Sequence, residues 1–186
     1  MAAESQTQLR HLAEDWLARR GVTVESIAEL VYELQKPYLP HLDPEHCLAS
    51  VKRVLDKREV QNAIFTGLAL DELAEQGRLG EPLASMLWSD DALYGIDEIL
   101  ALSIVNIYGS IGLTNFGYLD KVKSGIIGEV NGRKGSQVNT FLDDLVAAIA
   151  AAAAARLAHQ SRDQGLTVRI PEPEGPAART DRKAPA

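Results

Sequence analysis

LYGIDEILALSIVNIYGSIGLTNFGYLDKVK, residues 93–123, sets acidic residues, an apolar helix and a Gly/Asn-rich stretch in one unbroken run. Asp97 and Glu98 stand near the start of an apolar segment, Ile96 to Tyr108, that only Ser103 and Asn106 interrupt after the acids. A helix apolar on nearly every face is normally buried among other helices. Carboxylates in its first turns are then partly buried, where a bare charge is costly unless a cation or a donor compensates it. Gly109 to Gly117 reads as a loop that delivers Asp120 and Lys123. A second stretch, VNTFLDDLVAAIAAAAAARLAH (138–159), repeats the scheme with Asp143 and Asp144 opening another apolar helix. The two helices are expected to face each other with an acidic site between them.

Outward from this centre the pattern is helical throughout. Leu9, Leu12, Trp16 and Leu17 recur at helical spacing from Ser5 to Arg20, and Gly21 supplies a stop. Thr23 caps a second helix carrying Ile27, Leu30, Val31 and Leu34, which Pro37 and Pro40 end. Asp43 and Pro44 restart the chain as cap and first helical residue. Asp56 and Glu59 read as a capping box for a fourth helix, with Val60, Ile64, Leu68 and Leu73 inward and Gly77 as its stop. A short helical turn spans Pro82 to Trp88. The expected fold is an all-α, single-domain helical bundle with a buried central helix, residues 5–160. Residues 161–186, rich in Pro, Ala and charge, are expected to be a disordered tail.

Composition removes several function classes. A net charge of −7 argues against nucleic acid as a partner, which needs a basic stripe. The single cysteine, Cys47, leaves no internal disulfide and no Cys-based zinc site. No apolar signal core opens the chain, and its longest uninterrupted apolar run, Leu145 to Ala155, is shorter than the roughly 18 residues a membrane helix needs. The expectation is therefore a cytoplasmic protein without a transmembrane segment. The Ala-rich run reads as a tightly packed internal helix, which can also pair with a second subunit in a homo-oligomer.

The chemistry resides in the acids. Asp97, Glu98, Asp120, Asp143 and Asp144 come from three neighbouring pieces of chain, and hard cations such as Mg2+ take oxygen ligands of this kind, often together with substrate phosphate. Adjacent helical residues point about 100° apart, so one acid of each pair enters the site while the other supports it or caps backbone. The same residues also read as caps alone: Thr140 with Asp143 is a capping box, and acids suit a helix N-terminus. Lys57, Arg58, Lys121 and Lys123 are cations able to receive phosphate, or solvated surface charges. The four histidines are scattered and Cys47 reads as a packed apolar residue. Neither a phosphate-binding P-loop nor a GxSxG nucleophile elbow occurs.

The order IDEILAL, YLDKVKSGII, FLDDLVAAIAA resembles the phosphatidylglycerophosphatase A family in its soluble branch, over about Thr23 to His159. Two departures stand beside the match. Ser124 replaces the proline usual after the loop lysine, and KREVQNAIFTGL (57–68) lies where membrane-embedded members carry a Gly-rich segment. The resemblance implies a bundle around a central helix and a magnesium-dependent phosphatase acting on phosphatidylglycerophosphate. On that expectation Asp97, Asp120 and Asp143 hold Mg2+, Glu98 and Asp144 are catalytic as base or supporting acid, and Lys57, Arg58 and Lys123 bind phosphate. The partner is then expected to be a phosphorylated substrate such as a phospholipid head group met at the inner face of the membrane. A soluble phosphoester and a non-catalytic helical scaffold are the alternatives.

Overall fold

The structure, a computed structural model, describes residues 2–133, 135 and 137–163, with side chains from Thr7. Its elements are α1 (Ala2–Arg19), α2 (Val24–Gln35), α3 (Pro44–Leu55), α4 (Arg58–Glu75), α5 (Leu83–Ser89), α6 (Ile96–Val105), a 3-10 turn (Asn106–Tyr108), α7 (Gly109–Val122), α8 (Ile126–Asn131) and α9 (Leu142–Asp163). The all-α, single-domain expectation holds. Most boundaries have local causes that the sequence announces. Gly21 leaves α1 at φ 78°, a region costly for any residue with a Cβ. Thr23 and Ser26 exchange side-chain and backbone hydrogen bonds of 3.1 Å, a reciprocal cap on α2. Asp43 accepts from the Glu45 amide at 2.9 Å while Pro44 opens α3.

The buried central helix is α9. Every residue from Leu142 to Ala155 is buried, and α2, α3, α4, α6, α7 and α8 all pack against it. The alanines make this possible: a helix surrounded on all sides needs small side chains so that several neighbours can approach together. Close approach is visible where α4 crosses α9. A Cβ on Gly67 would lie 2.7 Å from Leu145 Cδ1 and 2.9 Å from Phe141 Cβ.

Four expectations need correction. First, Gly109–Gly117 is not a loop but the body of α7. Gly112 serves packing, since a Cβ there would stand 3.2 Å from Val105 Cγ1, whereas Gly117 faces open space and Gly109 starts the helix at φ 68°. Second, α6 is not buried on every face. Asp97, Ala101, Ile104 and Val105 point inward, but Ile99 is 61% exposed, and Ile107, Ile111, Leu113, Tyr118 and Val122 are exposed beyond it. Third, α4 has no capping box. Asp56 ends α3 and pairs with Arg10 at 2.7 Å, and Lys57 begins α4 without a side-chain cap. Fourth, helix α9 continues past Ser161 to Asp163. The rest of the expected tail, 164–186, lies outside the described residues.

Polar residues punctuate Ile96–Val122, so it contains no long uninterrupted apolar run. By length and composition alone it is long and apolar enough to cross a membrane, with 28% of its most apolar window buried inside the protein.

Candidate active site

The first turns of α6 and α9 and the end of α7 border one cleft of about 330 Å³. Asp97, Glu98, Asp120, Lys123, Asp143 and Asp144 line it, so the structure brings together six of the eight residues singled out by sequence. Asp90 and Asp91, from the turn after α5, add further acids that sequence reasoning passed over. Lys57 and Arg58 are not brought there. They are exposed at the start of α4 and do not line the cleft.

Lys123 is the hub. Its ammonium donates to Asp120 Oδ1 at 2.7 Å, Asp143 Oδ2 at 3.0 Å and Asp144 Oδ1 at 3.4 Å. The geometry depends on its position just past α7, in a left-handed conformation at φ 48°. A helix cannot continue through that conformation, which costs a residue with a side chain of order 1–3 kcal/mol unless its surroundings hold it. Three carboxylates supply that hold. Burial alone would lower the ammonium's pKa, but the Asp143 charge and the hydrogen bonds to Asp120 and Asp143 outweigh it and raise it. Lys123 stays charged across the ordinary pH range.

One ammonium does not neutralise the cleft, in which Lys123 is the only basic residue among the described lining. Burial, then the neighbouring Asp143 charge, push the Asp144 carboxyl up to about 8, with Lys123 pulling partly the other way. Burial also raises Asp97, where the hydrogen bond from the Glu98 amide only partly offsets it. The two acid pairs share one local device. Asp97 accepts from the Glu98 amide at 3.0 Å, and Asp143 accepts from the Asp144 amide at 3.0 Å. In each pair the first acid thus serves its own helix start while a carboxylate edge remains on the cleft.

What aims the α9 pair is a residue the sequence reading missed. Asp71, fully buried on α4, accepts from the amides of Phe141 (3.2 Å) and Leu142 (3.1 Å), the last residues before Asp143. This replaces the expected Thr140 capping box: the Thr140 hydroxyl instead donates to the Leu87 carbonyl at 2.7 Å. Desolvation drives the Asp71 carboxyl well above its ordinary range, against the amide hydrogen bonds and the Arg20 charge that lower it. Asp71 follows Ile64 by seven residues, on the inward stripe of α4. An acid on an apolar stripe was the available clue.

The approach to α9 is clamped from the other side. Arg20, 6% exposed, donates to both Glu75 oxygens at 3.0 and 2.7 Å and to Asn139 Oδ1 at 2.8 Å. Glu75 also accepts from the Val138 amide at 2.8 Å, and Asn139 donates to the Val130 carbonyl at 3.1 Å. Burial raises the Glu75 carboxyl, but the Arg20 and Val138 hydrogen bonds prevail and lower it. Residues 138–142 are therefore fixed by charge-assisted bonds from Arg20, just past α1, and from Asp71 and Glu75 on α4.

The donor set fits a hard cation in kind: it is all oxygen, and it carries more carboxylates than its ammonium can neutralise. As the chain stands, no three His, Cys, Asp or Glu side chains among the described residues are gathered closely enough to hold an ion, and Lys123 takes up three of the acids. The four histidines are exposed, and burial raises the Cys47 thiol to about 11, so neither residue type competes as a reacting group.

These features define an all-helical protein with a polycarboxylate cleft organised by one lysine. The sequence model of the family described as phosphatidylglycerophosphatase A matches residues 15–159. The chain belongs to that family. It is 56% identical to the uncharacterized protein YutG of Bacillus subtilis over 159 residues, 86% of this chain and 96% of the relative. Among solved structures it is similar to a protein of unknown function from Bacillus stearothermophilus (61% identity, TM-score 0.80, 82% of this chain and 94% of that one). It is also similar to the low temperature requirement C protein of Listeria monocytogenes (57% identity, TM-score 0.81, 83% and 98%).

Proposed function

We propose that this chain is a magnesium-dependent phosphomonoesterase whose substrate is phosphatidylglycerophosphate, converted to phosphatidylglycerol and phosphate. The observation that carries the reading is the convergence of Asp120, Asp143 and Asp144 on Lys123 in a cleft that Asp97 and Glu98 also line. Family membership supports the phosphatase class and names the lipid phosphate.

In this reading Asp97, Asp120 and Asp143 hold the cation, which when bound supplies Lewis-acid polarisation of a phosphoryl oxygen and lowers the pKa of a bound water. Lys123, held charged by its carboxylates, takes hold of the phosphoryl oxygens and neutralises the charge that grows on them. Asp144 holds a proton at its carboxyl near neutral pH and can give it to a leaving oxygen, after which its carboxylate can take one back from water. Glu98, exposed at the cleft edge, is the second candidate for that proton. The exposed apolar side chains of α6, the 3-10 turn and α7, Ile99, Ile107, Ile111 and Leu113 among them, suit a cytoplasmic protein that rests on a membrane surface where a lipid head group is presented.

Phosphate release from phosphatidylglycerophosphate in mixed micelles, with and without magnesium, tests the reading. Asp143→Asn is expected to lower the rate at least about a hundredfold while leaving the circular dichroism spectrum unchanged. Hydrolysis of water-soluble phosphomonoesters in preference to the lipid would keep the phosphatase and replace its substrate. No release from either class, with or without magnesium, would leave a non-catalytic scaffold.

A further inference from the structure

The acidic cleft carries beside it an apolar lip that the hydrolytic chemistry does not use. Leu93 is 94% exposed, and Trp88, Ile96 and Ile99 are each more than half exposed. They alternate along the chain with residues that line the cleft: Asp90, Asp91 and Ala92, then Gly95, then Asp97 and Glu98. A lone exposed leucine is ordinary on a protein surface, but four large apolar side chains within residues 88–99 are not. Local bonds fix this segment in place. The Asp91 side chain accepts from the Leu93 amide at 3.0 Å, and the Asp91 carbonyl accepts from the Tyr94 amide at 2.9 Å. The Tyr94 ring then meets Phe141, just before α9, edge to face with centroids 5.9 Å apart. The lip is thus tied to the same frame as the acids.

We infer that Trp88, Leu93, Ile96 and Ile99 insert into the surface of a phospholipid bilayer and set the acidic cleft against its head groups. This rests on the reading that a lipid head group enters the cleft. A second copy of the chain seated on residues 88–99 would cover the cleft and bar that head group, whereas a bilayer presents it. Tryptophan suits the role, because its ring is apolar and its N–H stays in the wet interface. No Lys or Arg occurs from residue 79 to residue 120, and four acids lie within the lip segment itself. Attachment is therefore by apolar insertion and does not draw on anionic lipid.

The probe is a vesicle of phosphatidylcholine alone, which offers no phosphomonoester, so binding is read independently of hydrolysis and a failed phosphatase reading leaves its result standing. Trp16→Phe in the full chain leaves Trp88 as the sole tryptophan. Its emission is expected to shift to the blue, to saturate with lipid and to be quenched by phosphatidylcholine brominated on its acyl chains. Co-sedimentation of the unmodified chain should give the same affinity, and added salt should not weaken it. Leu93→Asp, at an almost fully exposed position, should weaken binding at least about tenfold, the effect of one apolar side chain, without moving the melting temperature. Ile99→Asp should do the same and serves if the first variant does not fold. No binding up to millimolar lipid would overturn the inference. So would binding confined to anionic vesicles and abolished by salt, or undiminished binding by a folded Leu93→Asp or Ile99→Asp variant. A dimer in solution that Leu93→Asp dissociates would also overturn it, by giving the lip to a second copy.

Discussion

Asp71 shows how a residue far from the cleft in sequence determines what the cleft can do. Its carboxyl holds the backbone that immediately precedes Asp143 and Asp144. Asp71→Ala is expected to destabilise the protein by about 2–3 kcal/mol, from the loss of a cap and the stranding of buried amides, and a urea titration measures it. Asp144 gives the pH prediction. Its carboxyl has a raised pKa in the folded chain, so the folded state retains a proton that the unfolded state has released. Stability therefore falls as pH rises from the ordinary carboxylate range towards about 8. Melting curves at low ionic strength should show this slope, and Asp144→Asn should flatten it. The acids themselves were legible in the sequence, because pairs that open apolar helices stand out against their surroundings. Asp71, Arg20 and the departure of Lys57 and Arg58 were not, because burial and direction depend on how α4 lies against α9 and how α1 lies against α4. Periodicity fixes which face of a helix turns inward; it does not fix what that face meets.

At the scale of elements, α9 is both core and platform. Its alanines admit six neighbouring helices, and its first turn carries two of the acids. Gly67 is where α4 comes closest, so Gly67→Ala should destabilise by about 1–2 kcal/mol even though alanine is the better helix former. The loss should appear as a lower denaturation midpoint with an unchanged slope. The helices at 23–35 and 44–55 were readable from their caps, since Thr23, Asp43 and Pro44 act locally. Residues 109–117 read as a loop in sequence, though they form the first part of α7, because glycine carries two meanings. Here Gly112 makes room for Val105 and Tyr108, a tertiary reason that local propensity hides. The burial of the 96–105 helix was overread for a similar cause. An apolar face does not say whether protein, another subunit or lipid covers it.

On the scale of the whole molecule, the acidic bundle carries one cleft crowded with carboxylates around a single ammonium. Mutual repulsion there should ease when a divalent cation binds the folded state, which stabilises it by about 2.7 kcal/mol at a hundredfold excess over Kd. For a domain of this size the melting temperature should rise by several degrees, and Asp143→Asn should remove most of that rise. The most direct test joins this shift to catalysis: phosphate released from phosphatidylglycerophosphate as magnesium is titrated, followed alongside the melting curve of the same sample. Release and melting temperature are predicted to rise together and saturate at the same magnesium concentration, and both to be lost in Asp143→Asn. A flat melting curve to millimolar magnesium, with no phosphate released from the lipid or from any soluble phosphomonoester, would contradict it.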